Sequence, residues 1–139
     1  MTMPRSKFVR TSGLALLLSL GVTAAAAAGD TPAESFDRFC LEWMKKLAVR
    51  EHDNQEHIQW IQSGKGVTGE YVGYSSDHTC LVKPASDPKA VPIGKIIYQE
   101  IRYQKYGESP AVAANSPPQP LELTEVTEIF RYEKGQWKY

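Results

Sequence analysis

Near the start of the chain, apolar residues follow the 3.6-residue period of an amphipathic helix. The segment Thr31-Pro32-Ala33-Glu34 has the composition of a capping box, with Thr31 as the N-cap. No apolar residue occurs over residues 50–57, so we predict a helix that begins at Pro32 and frays in that stretch. The apolar stripe of this helix comprises Phe36, Phe39, Cys40, Trp43, Met44 and Leu47.

Beyond this helix, apolar and polar residues alternate, which is the period of a half-buried strand. In the segment 93–106, Ile96 and Tyr98 fall on one face, and the other face carries Ile93, Ile97, Ile101 and Tyr103. The alternation slips between Leu123 and Val126, which predicts a bulge there. Strands are predicted over 57–62, 67–74, 79–83, 93–106, 121–132 and 137–139, with a turn at 63–66 and a corner at 75–78.

Residues 107–120 break the alternation with four prolines, and we expect a flexible Pro-rich loop there. Within it, residues 109–114 have a composition that can start a short helix. Residues 116–120 favour an extended, polyproline-like chain. A connection of this length is either mobile or functional.

The order of these elements predicts the α+β class, with an N-terminal helix packed on a curved antiparallel sheet of four to six strands. Cys40 and Cys80 are the two cysteines of the chain, so one disulfide connectivity exists. Catalytic dithiols stand close together as C-x-x-C, whereas these cysteines are far apart. We therefore expect a structural Cys40–Cys80 disulfide that joins the helix to the sheet.

Residues 1–28 have the three parts of a secretory signal peptide. Arg5, Lys7 and Arg10 are basic, Leu14 to Val22 is apolar, and Ala24 to Ala28 offers an A-x-A cleavage site. This stretch is too short and too rich in alanine to span a bilayer stably. We expect cleavage after Ala28, which leaves one α+β domain of residues 29–139 in the periplasm or outside the cell.

The mature domain is mildly acidic, because all three basic residues of the leader are removed with it. Of 16 Lys and Arg, 13 remain against 16 Asp and Glu, which gives a net charge near −3. Nucleic-acid binding needs a basic stripe that neutralises phosphates, and this balance argues against it. The same charge argues against adhesion to an anionic membrane surface.

Groups of catalytic or metal-binding residue types have spacings that argue against such roles. Over residues 51–57, His52 and His57 stand five apart, whereas a helical metal pair prefers a separation of four. Asp77 and His78 are adjacent at a predicted corner, where neighbouring side chains rarely face each other. We therefore predict no catalytic residue, no metal ligand and no cofactor.

Aromatic residues on the predicted strands offer a more specific hypothesis. One helix covers only one face of a sheet, so tyrosines on the other face would form an amphipathic binding surface. Ordinary packing and cross-strand pairing explain the same residues as an alternative. The candidate binding residues are Trp60, Tyr71, Tyr98 and Tyr103.

The order of elements resembles the cystatin-like architecture and, more loosely, the NTF2-like architecture. The ending FRYEKGQWKY is similar to the last hairpin of small NTF2-like proteins. Residues 62–66 stand where cystatins carry the inhibitory loop Q-x-V-x-G, and Gln62 and Gly66 match its first and last positions, whereas Gly64 replaces its valine. The cystatin resemblance would imply protease inhibition, and the NTF2-like one a pocket between helix and sheet.

These patterns favour an exported, non-enzymatic binding module that uses an aromatic sheet face and the 107–120 loop. Its partner would be a protein, a peptide or a small molecule, and neither nucleic acid nor a membrane. Two alternatives stay open at this point. One is a small NTF2-like enzyme or ligand-binding protein, and the other is a cystatin-like protease inhibitor.

Overall fold

The computed structural model describes residues 29–139, so the predicted signal peptide lies outside the described residues. One long helix packs against a curled antiparallel sheet of five strands in the order β1-β2-β3-β4-β5. The predicted α+β class and the Cys40–Cys80 disulfide are both confirmed. The elements are α1 (Pro32–Glu56), β1 (Gln59–Ser63), β2 (Gly66–Lys83), β3 (Ile93–Gly107), α2 (Pro110–Asn115), β4 (Gln119–Glu133) and β5 (Gln136–Lys138).

Helix α1 begins as predicted and ends later. The Thr31 hydroxyl accepts from the backbone N–H of Glu34, whose carboxylate accepts from the backbone N–H of Thr31. The expected fraying over residues 50–57 is wrong, because the helix continues to Glu56. Its last turns are held by the free edge of β2, where Asn54 donates to the carbonyl of Val72 at 2.7 Å.

The main core lies under the N-terminal half of α1, on one side of the sheet that we call face A. Face A carries Gly94, Ile96 and Tyr98 of β3, and the next residues along the strand point to the opposite side, face B. Gly94 lets the helix approach closely, since a Cβ there would lie 2.2 Å from the Phe36 ring. The buried side chains of this core are Phe36, Cys40, Leu47, Ile96, Tyr98 and Phe130.

Two bulges bend the sheet. Residues 75–77 of β2 all stand opposite Gln99, whose N–H donates to the Ser75 hydroxyl at 2.9 Å. In β4, Leu121 is the extra residue between Glu122 and Pro120. The irregularity expected between Leu123 and Val126 is wrong, because these residues pair with β3 in unbroken register.

Helix α2 forms a second, smaller packing layer on face B. Residues 107–120 are thus not a loop throughout, because α2 and the start of β4 both lie within them. The Ser109 hydroxyl caps α2 by accepting from Val112 N–H at 3.4 Å. Ala113 is fully buried against Gly107, where any Cβ would meet the helix backbone at 2.2 Å.

The two helices therefore cover opposite faces at opposite ends of the sheet. Near α2, face A carries a polar network, in which Arg102 lies 3.7 Å from Glu70 and 3.2 Å from Glu122. The part of face B beyond α2 lies behind the α1 core. Within residues 29–139, neither helix combines the length and apolar character that crossing a bilayer requires.

Candidate functional site

The predicted aromatic site does not form one surface, because Tyr98 lies inside the α1 core. It is only 5% exposed, and its hydroxyl donates to Glu128 at 3.1 Å. Burial, followed by the hydrogen bond to Glu128, raises the pKa of Tyr98. Glu128 also accepts from the Tyr139 hydroxyl, so this carboxylate joins the core to the chain end. Tyr98 therefore offers no surface to a partner.

Trp60, Tyr71 and Tyr103 do lie together, on face B near α2. The rings of Tyr71 and Tyr103 stack with centroids 5.2 Å apart, and the Trp60 ring covers Gly69. Tyr71 is only 7% exposed, and burial raises its pKa. Trp60 and Tyr71 line a cavity of about 320 Å³ that the end of α1 and Pro118 help to close. Much of the aromatic surface here serves packing between β1, β2 and β3.

The polar cluster at the end of α1 forms two separate pairs. His52 lies 3.3 Å from Glu56, and His57 lies 3.4 Å from Asp53. All four side chains are well exposed. The hydrogen bond to the Asp53 carbonyl raises the pKa of His57, with the Asp53 carboxylate adding to the effect. Exposed ion pairs of this kind contribute little to the free energy of unfolding.

His78 lies beside the disulfide, at the β2 bulge. Its ring comes within 4.8 Å of both sulfurs, and its Nδ1 lies 2.7 Å from the Ser76 carbonyl oxygen. The two sulfurs are bonded to each other, so they offer no thiolate to a metal or a substrate.

The uncovered part of face B is the most distinctive surface of the molecule, and we call it the open face. Leu81, Leu123 and Ile129 are exposed by 50%, 61% and 52%. Ile101 stands opposite Leu123, and Ile97 lies between Thr79 and Thr127. A depression of about 520 Å³ lies here beside the β2 bulge, bordered by Asp77 and Glu125. A group of exposed aliphatic side chains on one surface is a feature of interaction sites.

Four cations border the open face at the end farthest from α2, and we call them the basic row. The strand register puts Lys83, Ile93 and Arg131 in one line across the sheet, and Lys95 beside Ile129 in the next. On β5, Lys138 stands opposite Arg131. Among the described residues, none of the four forms a salt bridge with an acidic side chain. The basic row consists of Lys83, Lys95, Arg131 and Lys138.

The outer edges of the two long strands β2 and β4 have different neighbours. On β2, α1 bonds the edge at two points: Tyr74 N–H donates to Glu51 at 3.0 Å, and Val72 accepts from Asn54. On β4, strand β5 pairs only with residues 131–133. The outer edge of residues 119–130 has no strand beside it within the described part of the chain. An unpaired edge of this length is a template for another strand.

The sequence already placed Ile97 and Ile101 on one strand face, opposite Tyr98. It did not show which face α1 would cover. The predicted site therefore consisted of aromatic residues and did not include these aliphatic ones. Nor did the sequence show that β5 stops early and leaves β4 open, because strand pairing depends on register across the whole sheet.

Comparisons with known proteins give no relative from which a function follows. No family model matches the chain, and no curated protein or solved structure is significantly similar to it. None of these comparisons supports the cystatin-like or the NTF2-like resemblance.

Proposed function

We propose that this protein is an exported, non-enzymatic binding module that pairs an extended segment of a partner protein with the free edge of β4. The observation that carries the proposal is the juxtaposition of an unpaired strand edge, residues 119–130, with the open face. An added strand would satisfy the outward backbone groups of β4. Its alternate side chains would lie beside Leu123 and Ile129 and extend the aliphatic surface.

The partner is a different protein rather than a second copy of this chain. Residues 119–130 contain Glu122, Glu125 and Glu128 and no basic residue. Two copies paired edge to edge would gather six carboxylates along one seam, which opposes self-pairing. The glutamates thus keep the edge open for a partner of different charge.

A pocket enzyme has less support, because side chains fill the space between the first half of α1 and the sheet. Farther along α1, a cavity of about 430 Å³ lies between Leu47 and Tyr74 and is lined by one carboxylate, that of Glu51. Phe36, Ile96 and Phe130 are each exposed by 1% or less. The centroids of Trp43 and Phe130 lie 4.9 Å apart, edge to face, so aromatic rings occupy this interior. This part of the interior therefore has the packing of a core.

Export is part of the proposal. The formed disulfide fits an oxidising compartment, the periplasm or the extracellular space. The leader pattern of residues 1–28 provides the route. In such a compartment a small domain with a rigid sheet suits the capture of another exported protein.

The test uses a photo-crosslinking amino acid placed in the full-length chain and expressed in its own host. The probe replaces Thr127 or Ile129 at the β4 edge, and Glu70 on the polar part of face A serves as the matched control. We expect one partner to cross-link from both β4 positions and not from position 70. Hydrogen exchange on the isolated complex should then show new protection of β4 amides. Equal adducts from all three positions, or unchanged β4 protection, would overturn the proposal.

A further inference from the structure

The basic row differs in charge from the rest of the domain. The described chain carries more acidic than basic residues, yet these four cations share one face without an acidic partner among the described residues. They stand on four neighbouring strands that are spaced about 4.8 Å apart, so the row is about 14 Å wide. Glu133 also lies on face B, near Arg131 and Lys138, but the cations outnumber it four to one. A predominantly positive field beside an aliphatic surface attracts a ligand that is both apolar and anionic.

The position of the row relates directly to the β4 edge. Because β5 occupies the edge beyond Phe130, a strand added to residues 119–130 must end beside β5. Lys138 and Arg131 lie at that point, with Lys95 next to Ile129. At the middle of the edge, Glu125 lies on face B and presents the opposite charge. The charge along the edge therefore changes from negative at its middle to positive at the end beside β5.

Resting on the proposed function, we infer how charge is distributed along the partner segment. It carries carboxylates at the end that lies beside Lys138 and Arg131, and no acidic residue opposite Glu125. All pairs in this sheet are antiparallel, and we extend that to the added strand. Its amino-terminal end then meets the carboxy-terminal end of β4. In the partner's sequence, the acidic residues precede the strand-forming ones.

Charge complementarity of this kind fixes register as well as affinity. A strand shifted by two residues would keep its backbone hydrogen bonds but lose its carboxylates from the basic row. A strand added in the opposite direction would carry them to the α2 end of β4. The basic row thus selects both the partner and its position.

The test uses two fluorescent peptides that differ only in charge. Each has eight alternating valine and threonine residues, preceded by three aspartates in one peptide and by three lysines in the other. Binding is measured by anisotropy at about 20 mM and 200 mM salt with three proteins: the mature wild type, Lys95→Glu with Lys138→Glu, and a control. The control, Lys46→Glu with Lys65→Glu, makes the same change in net charge on α1 and on the β1–β2 turn.

We expect the wild type to bind the aspartate peptide at least about tenfold more tightly at low salt, with a smaller preference at high salt. The Lys95/Lys138 variant should lose or reverse this preference, and the control should keep it. If the wild type bound both peptides equally, the acidic partner would be wrong while strand addition would stand. If it bound neither, strand addition itself would fail. Near-ultraviolet circular dichroism confirms that each variant is folded.

Discussion

At the scale of single residues, glycines that allow other groups to approach the backbone closely explain more of the fold than side-chain chemistry does. Gly94 lies where α1 comes nearest to the sheet, under the Phe36 ring. Gly69 similarly makes room for the ring of Trp60. Sequence alone does not distinguish such a glycine from a weak point of a strand, because only the packed structure shows which side chain lies above it.

Replacing Gly94 with alanine should destabilise the domain by about 2 kcal/mol, because the new methyl group overlaps Phe36 and the core must shift. Urea unfolding of the domain of residues 29–139 measures this change. Gly64→Ala is the matched control, since a Cβ there meets nothing within 4 Å. If both variants had the same midpoint, Phe36 would not press on Gly94.

Tyr98 gives a prediction about pH. Burial raises the pKa of Tyr98 above the ordinary value of about 10, so the folded protein holds this proton more tightly than the unfolded chain does. The resulting stability is complete below pH 10 and is lost as the pH rises above it. The free energy of unfolding should therefore fall above pH 10, by at most about 1.4 kcal/mol per pH unit for this group.

Tyr98→Phe should make that decline shallower in urea titrations between pH 9 and pH 11. Tyr132→Phe is the control, because the Tyr132 hydroxyl forms no hydrogen bond among the described residues. An equal decline in wild type and Tyr98→Phe would contradict the assignment. Tyr71 contributes a decline of the same sign, so the slope should shrink without vanishing.

At the scale of elements, periodicity predicted α1 and the strands, and tertiary contacts decided their ends. The helix extends beyond its apolar stripe because Glu51 and Asn54 form hydrogen bonds with the edge of β2. No local sequence pattern predicts such contacts. The same limit applies to the candidate site. Period two placed Tyr98 opposite Ile97, but the choice of the covered face was made by where α1 and α2 pack.

The disulfide is the covalent link between α1 and β2. The two cysteines are 40 residues apart, and closing a loop of that length stabilises a domain by about 4 kcal/mol in the chain-entropy model. Cys40→Ala with Cys80→Ala should lower the free energy of unfolding by about that amount. Adding a reductant should lower wild-type stability similarly and leave the double variant unchanged. A wild type indifferent to reductant would show that the bridge does not form.

At the scale of the whole molecule, the two helices cover opposite faces at opposite ends, and this leaves an apolar region and the long outer edge of β4 without cover. Where α1 sits on face A, the reverse side is the open face; where α2 sits on face B, the reverse side is the polar network of Arg102. A single helix over a single face would leave a wholly open reverse side. The observed arrangement leaves Leu81, Leu123 and Ile129 exposed together on about half of one face.

The exposed edge must resist self-association, and we assign that task to the glutamates of β4. Glu125→Thr should therefore raise the tendency of the domain of residues 29–139 to dimerise, because it removes two carboxylates from the seam between copies and improves strand propensity. Sedimentation velocity over a range of concentrations measures the effect. Glu108→Thr is the control, since it removes the same charge from an exposed position before α2. Equal association of the two variants would mean that β4 is protected by something other than its charge. It would also remove the main argument that the partner of this edge is a different protein.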